Sequence, residues 1–170
     1  MITIRNARED DIPQLAGIGI AAWAQAAAGL ADLATLRESA GNAFGQFLAR
    51  RWLRVTVAEK AGAVAGWAAR EALDEEITDI WVDPARQRSG IGSALLERLE
   101  QEIAAAGHEA ARLQTHARNE TAVRFFRARG YSVHWLSVAY APRLDRDIES
   151  IGLRKQFVAD EPVGYGPGGF

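Results

Sequence analysis

The sequence contains no cysteine, which excludes disulfide bonds, thiol nucleophiles and metal sites with cysteine ligands. Its three histidines, His108, His116 and His134, lack the close spacing of a zinc-binding helix, so we expect no metal site. No run of about eighteen apolar residues is present, so we expect no membrane partner. The first residues lack the basic start and apolar run of a signal peptide, and this predicts a cytoplasmic protein.

A large excess of charge of either sign is also absent. The 20 basic and 22 acidic side chains leave a formal charge of −2, and the isoelectric point is about 5.9. Nucleic-acid-binding domains are usually strongly basic, so we expect no nucleic-acid partner. The 170 residues are 48% hydrophobic, which is typical of one globular domain. We place that domain at residues 1–158, followed by a Gly-rich tail at 159–170.

The spacing of apolar residues predicts which segments form helices and which form strands. Helices are predicted from residues 8–13 to about 28, where Gly29 follows, and over 32–51, 91–106 and 119–129. Strands are predicted over 1–4, 54–59, 63–71, 76–82, 111–115, 131–141 and 149–158. This order of elements predicts an α/β fold in which helices cover both faces of a mixed sheet.

The loop that leads into the Leu-rich helix carries Gly90 and Gly92. The first turn of a helix has backbone N–H groups without internal partners and the positive end of the helix dipole. Glycines let an anion approach these N–H groups, and Arg86 and Arg88 add positive charge beside them. The loop therefore predicts a pyrophosphate site. A tight turn with solvated arginines is the alternative that the glycines alone leave open.

Three segments resemble the motifs of one enzyme family, the GNAT superfamily of N-acetyltransferases. Gln87-Arg88-Ser89-Gly90-Ile91-Gly92 is similar to its acetyl-CoA-binding signature, Gln/Arg-x-x-Gly-x-Gly/Ala. The preceding Ile80-Trp81-Val82-Asp83-Pro84 resembles the fourth strand of that family. The segment from Asn119 to Tyr131 resembles its second pattern, Asn-x-x-Ala-x-x-Phe-Tyr-x-x-x-Gly-Phe/Tyr. The resemblance covers about residues 2–158 and is most specific over 76–131.

The resemblance implies a fold, a cosubstrate and a reaction. The GNAT fold is a mixed, mostly antiparallel sheet of six to seven strands with helices on both faces, splayed between strands 4 and 5. The implied reaction transfers the acetyl group of acetyl-CoA to a primary amine by direct attack. That reaction needs no enzyme nucleophile, in agreement with the lack of cysteine. The acceptor stays open between small-molecule amines and protein or peptide amines, and homodimers are frequent in the family.

The matched positions imply which residues contact acetyl-CoA. The pyrophosphate is expected on the backbone N–H groups of residues 88–93, and Asn119 is expected to contact the cosubstrate or a water. The Val82 N–H is expected to polarise the thioester carbonyl, a role typically worth about 3 kcal/mol. The implied cosubstrate-binding residues are Ile80, Val82, Gln87, Arg88, Ser89, Gly90, Ile91, Gly92, Ser93, Asn119, Phe125 and Phe126.

Two carboxylates are candidates for the general base. Glu76 matches a fourth-strand glutamate that some family members use. Strand alternation groups Glu76 with Thr78, Ile80 and Val82, and Asp79 with Ile77 and Trp81 on the opposite face, so Asp79 is a rival base. The acidic run of Asp74, Glu75, Glu76 and Asp79 either attracts a cationic amine or forms a solvated edge.

Phe126 departs from the family pattern, which often has a tyrosine there as the general acid. Phenylalanine has no proton to give. The general acid is then Tyr131, His134, Tyr140 or a water molecule, or the thiolate leaves unassisted. The departure also supports a second hypothesis, an acyl-CoA-binding sensor or inactive relative. Four tryptophans are either acceptor-site residues or core residues: Trp23, Trp67, Trp81 and Trp135.

Overall fold

A computed structural model describes residues 1–27, 33–141 and 146–157, and these ranges contain seven strands and four helices. The strands are β1 (Ile2–Asn6), β2 (Val55–Lys60), β3 (Ala63–Ala69), β4 (Asp79–Val82), β5 (Ala110–His116), β6 (Ser132–Ala141) and β7 (Arg146–Gln156). The helices are α1 (Ile12–Ala26), α2 (Leu33–Arg51), α3 (Ile91–Ala105) and α4 (Glu120–Arg127). The predicted order of elements is confirmed. Gly29, residue 158 and the predicted tail at 159–170 lie outside the described residues.

The strands form two antiparallel sheets. One has the order β1-β2-β3-β4 and the other the order β5-β7-β6. Between the two sheets, the described residues form one isolated parallel bridge, from Glu76 to Arg112. The predicted α/β fold is confirmed, and the predicted splay between the fourth and fifth strands is the line along which the sheets separate.

The chain changes its pairing partner just before β4. The Ile77 N–H donates to the Arg112 carbonyl oxygen at 2.9 Å, so this residue pairs towards β5. The Thr78 N–H instead donates to the Ala69 carbonyl oxygen at 3.0 Å, and pairing with β3 continues from Asp79 onwards. The strand predicted over 76–82 is therefore interrupted, because its two halves pair with different neighbours.

This interruption also shifts the alternation of side chains. Ile77 is buried in the same apolar cluster that Ile80 and Val82 pack against. Glu76, one residue earlier, points to the opposite face and contacts Arg112 and Gln114. The predicted grouping of Glu76 with Ile80 and Val82, and of Ile77 with Trp81, is wrong because it assumed one uninterrupted strand.

The first sheet carries an apolar core on each face. Helix α3 covers one face with its buried residues Ile91, Leu95, Leu96, Leu99 and Ile103. Helices α1 and α2 cover the other face around Trp67, which is fully buried and donates its indole N–H to the Leu15 carbonyl oxygen at 2.9 Å. Trp67 is therefore a core residue. Trp23 and Trp81 are partly buried and pack against the same cluster.

Arg5 fastens the start of α1 to the sheet. Its Nη1 and Nη2 donate to both carboxylate oxygens of Asp11 at 2.8 and 3.0 Å, and its Nε donates to Glu59 at 2.8 Å. The hydrogen bond from Arg5 is the largest cause that holds the pKa of Asp11 below its usual value. The Arg5–Asp11 pair therefore connects β1, β2 and the turn before α1.

We expect Arg5→Gln to lower the free energy of unfolding by about 2 kcal/mol at pH 7, since charge-assisted hydrogen bonds are lost. The pKa of Asp11 is lower in the folded protein than in the unfolded chain. The contribution of the Arg5–Asp11 pair to stability is therefore fully present above the carboxyl pKa of the unfolded chain. It is lost as the pH falls through the carboxyl pKa of the folded protein. Urea unfolding at pH 7 and at about pH 2.5 measures this difference. An equal loss at both pH values would contradict the role of the Asp11 charge.

Candidate functional site

A cleft of about 910 Å³ lies between β4, the start of α3, α4 and the last turn of α1. Ala22, Gln25 and Ala26 of α1 form one wall. The cleft brings together eleven of the residues implied as cosubstrate contacts: Ile80, Val82, Gln87, Arg88, Gly90, Ile91, Gly92, Ser93, Asn119, Phe125 and Phe126. These residues come from two parts of the chain that are distant in the sequence, 80–93 and 119–126, and the fold places both at one opening.

Ser89 is the implied contact that does not line the cleft. Its hydroxyl donates to the Arg86 carbonyl oxygen, and its own carbonyl oxygen accepts from Lys60 Nζ at 3.4 Å. Arg86 in turn donates from Nη1 to the Lys60 carbonyl oxygen at 2.9 Å. The loop is thus tied to the end of β2. Arg86 does not line the cleft either, and its place beside the pyrophosphate stays a prediction.

Gly90 and Gly92 are required for different physical reasons. Gly90 is the N-cap of α3 and has a φ of +85°, a left-handed conformation that side chains disfavour. A Cβ at Gly92 would lie 3.2 Å from Cζ of Phe125, inside the cleft. A Cβ at Gly90 would face Ile2 Cδ1 at 3.4 Å instead.

The backbone N–H of Val82 points away from β3. Val82 faces Gly66 across the ladder, and the next residue, Asp83, donates its N–H to the Ala65 carbonyl oxygen at 2.9 Å. Hydrogen-bonded and non-hydrogen-bonded pairs alternate along antiparallel strands, so the Val82–Gly66 pair is a non-hydrogen-bonded one. The Val82 N–H is therefore directed to the side on which β5 separates from β4.

The two candidate bases differ in their surroundings, and neither lines the cleft. Glu76 Oε2 accepts from Arg112 Nη1 at 2.8 Å, and Glu76 Oε1 accepts from Gln114 at 3.4 Å. Arg112 also forms ion pairs with Asp74 and Glu75. Three of the four carboxylates in the acidic run therefore surround one guanidinium group, which favours a charge-paired edge over a surface that attracts amines.

Asp79 is partly buried, and no ion pair with it occurs among the residues that the structure describes. Burial raises the pKa of its carboxyl group, while hydrogen bonds from Trp81 and Thr78 oppose the rise and the charge of Glu71 adds to it. The indole Nε1 of Trp81, which lines the cleft, donates to Asp79 Oδ1 at 3.0 Å. The carboxylate of Asp79 is thus more basic than an ordinary aspartate, and its hydrogen bond with Trp81 fixes it directly behind the cleft wall.

Phe126 lies in the cleft wall, and none of the three side chains predicted to replace a tyrosine there lines the cleft. Tyr131 is 3% exposed and packs edge-on against Phe126 in the core, and burial raises the pKa of its hydroxyl. His134 and Tyr140 lie exposed on β6, as does Trp135. A water molecule and unassisted departure of the thiolate are the two predicted routes that do not depend on these three side chains.

Asn119 has a structural role as well as a place in the cleft. Its Oδ1 accepts from the Ala122 N–H at 3.2 Å, which makes it the N-cap of α4. The sequence predicted this residue as a contact of the cosubstrate or a water. Among the described residues, no group accepts a hydrogen bond from its side-chain Nδ2, so these donors are available for such a contact.

Arg129 lines the cleft, although the sequence pattern predicts it only as the last residue of a helix. Its Nε donates to Ser93 Oγ at 2.9 Å and its Nη1 donates to the Phe125 carbonyl oxygen at 2.9 Å. Its Cζ lies 3.8 Å from the centre of the Phe125 ring. The four-residue spacing from Phe125 was the signal available, since side chains at i and i+4 meet on a helix.

The comparisons with known proteins agree on one family. The sequence model of the acetyltransferase (GNAT) family matches residues 28–131. The chain is 35% identical over 92 residues to the IAA acetyltransferase of Azospirillum brasilense, covering 51% of this chain and 60% of that protein. It is 33% identical over 86 residues to the ribosomal protein bS18-alanine N-acetyltransferase of Escherichia coli, covering 49% and 58%.

A solved structure of similar fold is the PaiA N-acetyltransferase of Thermoplasma acidophilum in complex with coenzyme A. It superposes with a TM-score of 0.72 at 18% identity, over 92% of this chain and 99% of that one. The chain spans about 60% of the length of the curated relatives it matches. Within the described ranges, no helix combines the length and apolar character that crossing a membrane requires.

Proposed function

The chain belongs to the GNAT family of acetyltransferases, and from this premise we propose that it transfers the acetyl group of acetyl-CoA to a primary amine. The observation that carries the proposal is the cleft in which the first turn of α3, the Val82 N–H and the second family motif meet. The acceptor is either a small-molecule amine or a protein or peptide amine. The domain boundary, cytoplasmic location and homodimer stay predictions from the sequence.

The loop and the first turn of α3 are suited to hold the diphosphate of acetyl-CoA. Helix N-termini bind phosphate through free backbone N–H groups and the helix dipole. The bare Cα of Gly92 keeps space open in front of Phe125, and a Cβ there would partly fill it. Acetyl-CoA, when bound, supplies a thioester that is activated for acyl transfer.

We assign the Val82 N–H to the thioester carbonyl oxygen. This backbone donor is fixed by the β3–β4 ladder and points away from β3, so it needs no rearrangement during the reaction. A fixed donor aimed at an oxygen that gains negative charge is typically worth about 3 kcal/mol of barrier reduction.

We assign the general base to Asp79 rather than Glu76. Asp79 takes a proton from the substrate ammonium group through water, because it lies behind Trp81 and not in the cleft lining. The free amine then forms the C–N bond while the C–S bond breaks. The proton that the new amide nitrogen loses passes through water to the departing thiolate, because Phe126 has no proton to give. A raised pKa suits a base that works near neutral pH, whereas Glu76 is held in contacts with Arg112 and Gln114 at the sheet edge.

Release of free CoA thiol on mixing acetyl-CoA with a panel of amines tests this proposal. The panel includes small primary amines and a peptide with an N-terminal alanine, and mass spectrometry identifies the acetylated product. Thiol release with any amine, together with an amide product, supports the transferase. CoA binding without thiol release across the panel contradicts it, and favours the second candidate that Phe126 supports, an acyl-CoA-binding sensor.

A further inference from the structure

Arg129 carries a charge that no carboxylate of this chain neutralises within the described residues. The ion pairs there involve other cations, and Arg129 is held instead by a hydroxyl, a carbonyl oxygen and an aromatic ring. Arg88 and Arg118 also line the cleft, but both are exposed, whereas Arg129 is partly buried. The fold therefore fixes one cation at the cleft wall and leaves its charge available.

Counting hydrogen-bond donors shows what remains free at this position. A guanidinium group has five N–H donors. Arg129 uses Nε and one donor of Nη2 on Ser93 Oγ, and one donor of Nη1 on the Phe125 carbonyl oxygen. Two donors remain. The Ser93 oxygen accepts twice, so its own hydrogen is also available to a further acceptor.

These free donors lie beside the first turn of α3. Ser93 is the third residue of that helix, where backbone N–H groups also lack internal partners. A guanidinium group whose plane is fixed by a ring and two hydrogen bonds loses little further freedom on binding an anion. Phosphoryl oxygens match both its charge and its forked geometry.

We propose that Arg129 and Ser93 together bind a phosphoryl group of the cosubstrate, so that Arg129 sets the preference for phosphorylated forms of pantetheine. The inference rests on the proposed function, which places acetyl-CoA in this cleft. The phosphoryl group comes either from the diphosphate or from the 3′-phosphate, and these two sources share the chemistry that the pair recognises.

Calorimetric titration with four compounds tests the proposal: CoA, dephospho-CoA, 4′-phosphopantetheine and pantetheine. Arg129→Gln is expected to weaken CoA binding roughly tenfold, as the loss of a charge-assisted hydrogen bond predicts, and to leave pantetheine binding unchanged. The loss is expected to shrink at high salt, because ions screen the interaction. A loss that persists with dephospho-CoA supports the diphosphate as the bound group, and a loss that disappears supports the 3′-phosphate.

Arg127→Gln is the matched control, because Arg127 is the exposed last residue of α4, two residues before Arg129, and lies outside the cleft lining. Unchanged CoA affinity is expected for it. The inference is overturned if Arg129→Gln binds CoA as tightly as the wild type does. It is also overturned if this variant loses as much affinity for pantetheine as for CoA, or if Arg127→Gln loses as much affinity for CoA as Arg129→Gln does. Should Arg129→Gln unfold, Ser93→Ala gives the same comparison. Failure of the wild type to bind CoA would instead contradict the proposed function.

Discussion

Replacing Asp79 with asparagine is expected to lower kcat by about 100-fold while the CoA affinity stays unchanged. The amide oxygen of asparagine can still accept the hydrogen bond from Trp81, but it cannot take a proton from the substrate ammonium group. Steady-state kinetics with the amine identified in the panel, together with titration of CoA, separates the two effects.

The pH dependence of the wild type gives a second readout of the same role. Because burial raises the pKa of Asp79, its active, deprotonated form is lost as the pH falls, and this loss begins above the usual carboxyl range. The Asp79→Asn variant is expected to lack this decrease in the pH–rate profile. A raised folded-state pKa also means that the charged carboxylate costs stability at neutral pH, so Asp79→Asn should be no less stable than the wild type.

Glu76→Gln is the matched control for this prediction. Arg112 holds Glu76 in an exposed ion-pair cluster, so we expect kcat to change by no more than about threefold. If Glu76→Gln abolished turnover while Asp79→Asn remained active, the assignment of the base would be reversed.

Replacing Gly92 with valine is expected to weaken CoA binding by about 100-fold, which corresponds to roughly 2.7 kcal/mol. A Cβ at this position already lies 3.2 Å from the Phe125 ring and 3.6 Å from Val82 Cγ2, so the branched side chain would fill the space in front of the first turn of α3. Gly92 lies inside a helix and has no positive φ, so the variant is expected to fold.

Gly45→Val provides the control for the change of glycine to valine within a helix. A Cβ at Gly45 would meet no atom within 4 Å, and Gly45 lies in α2, outside the cleft lining. We expect its CoA affinity to match that of the wild type. A Gly92→Val protein that folds and binds CoA as tightly as the Gly45→Val protein would contradict the placement of the cosubstrate.

The order of elements and the glycine loop could be predicted because both depend on local patterns. The apolar stripe of α3 and the Gly90 N-cap are each contained within a few residues of sequence. The change of partner at Thr78 could not be predicted, because it depends on where β5 lies. Side-chain alternation was therefore assigned wrongly for Glu76 and Ile77.

Contacts between distant residues account for what was missed at the site. Arg112 binds Glu76 from 36 residues away, and this contact holds Glu76 at the sheet edge, outside the cleft lining. Arg129 reaches Ser93 across the same separation of 36 residues. Arg112 lies outside the three motif segments and Arg129 stands at an unspecified position of one, so only the fold brings each arginine to its partner.

Backbone amide NMR during titration with CoA tests most directly whether main-chain N–H groups at the start of α3 bind the cosubstrate. The account predicts large shifts for the amides of residues 90–93 and for the Val82 amide, with the amides of β6 unaffected. CoA binding that shifts amides elsewhere, and leaves residues 90–93 unchanged, would contradict it.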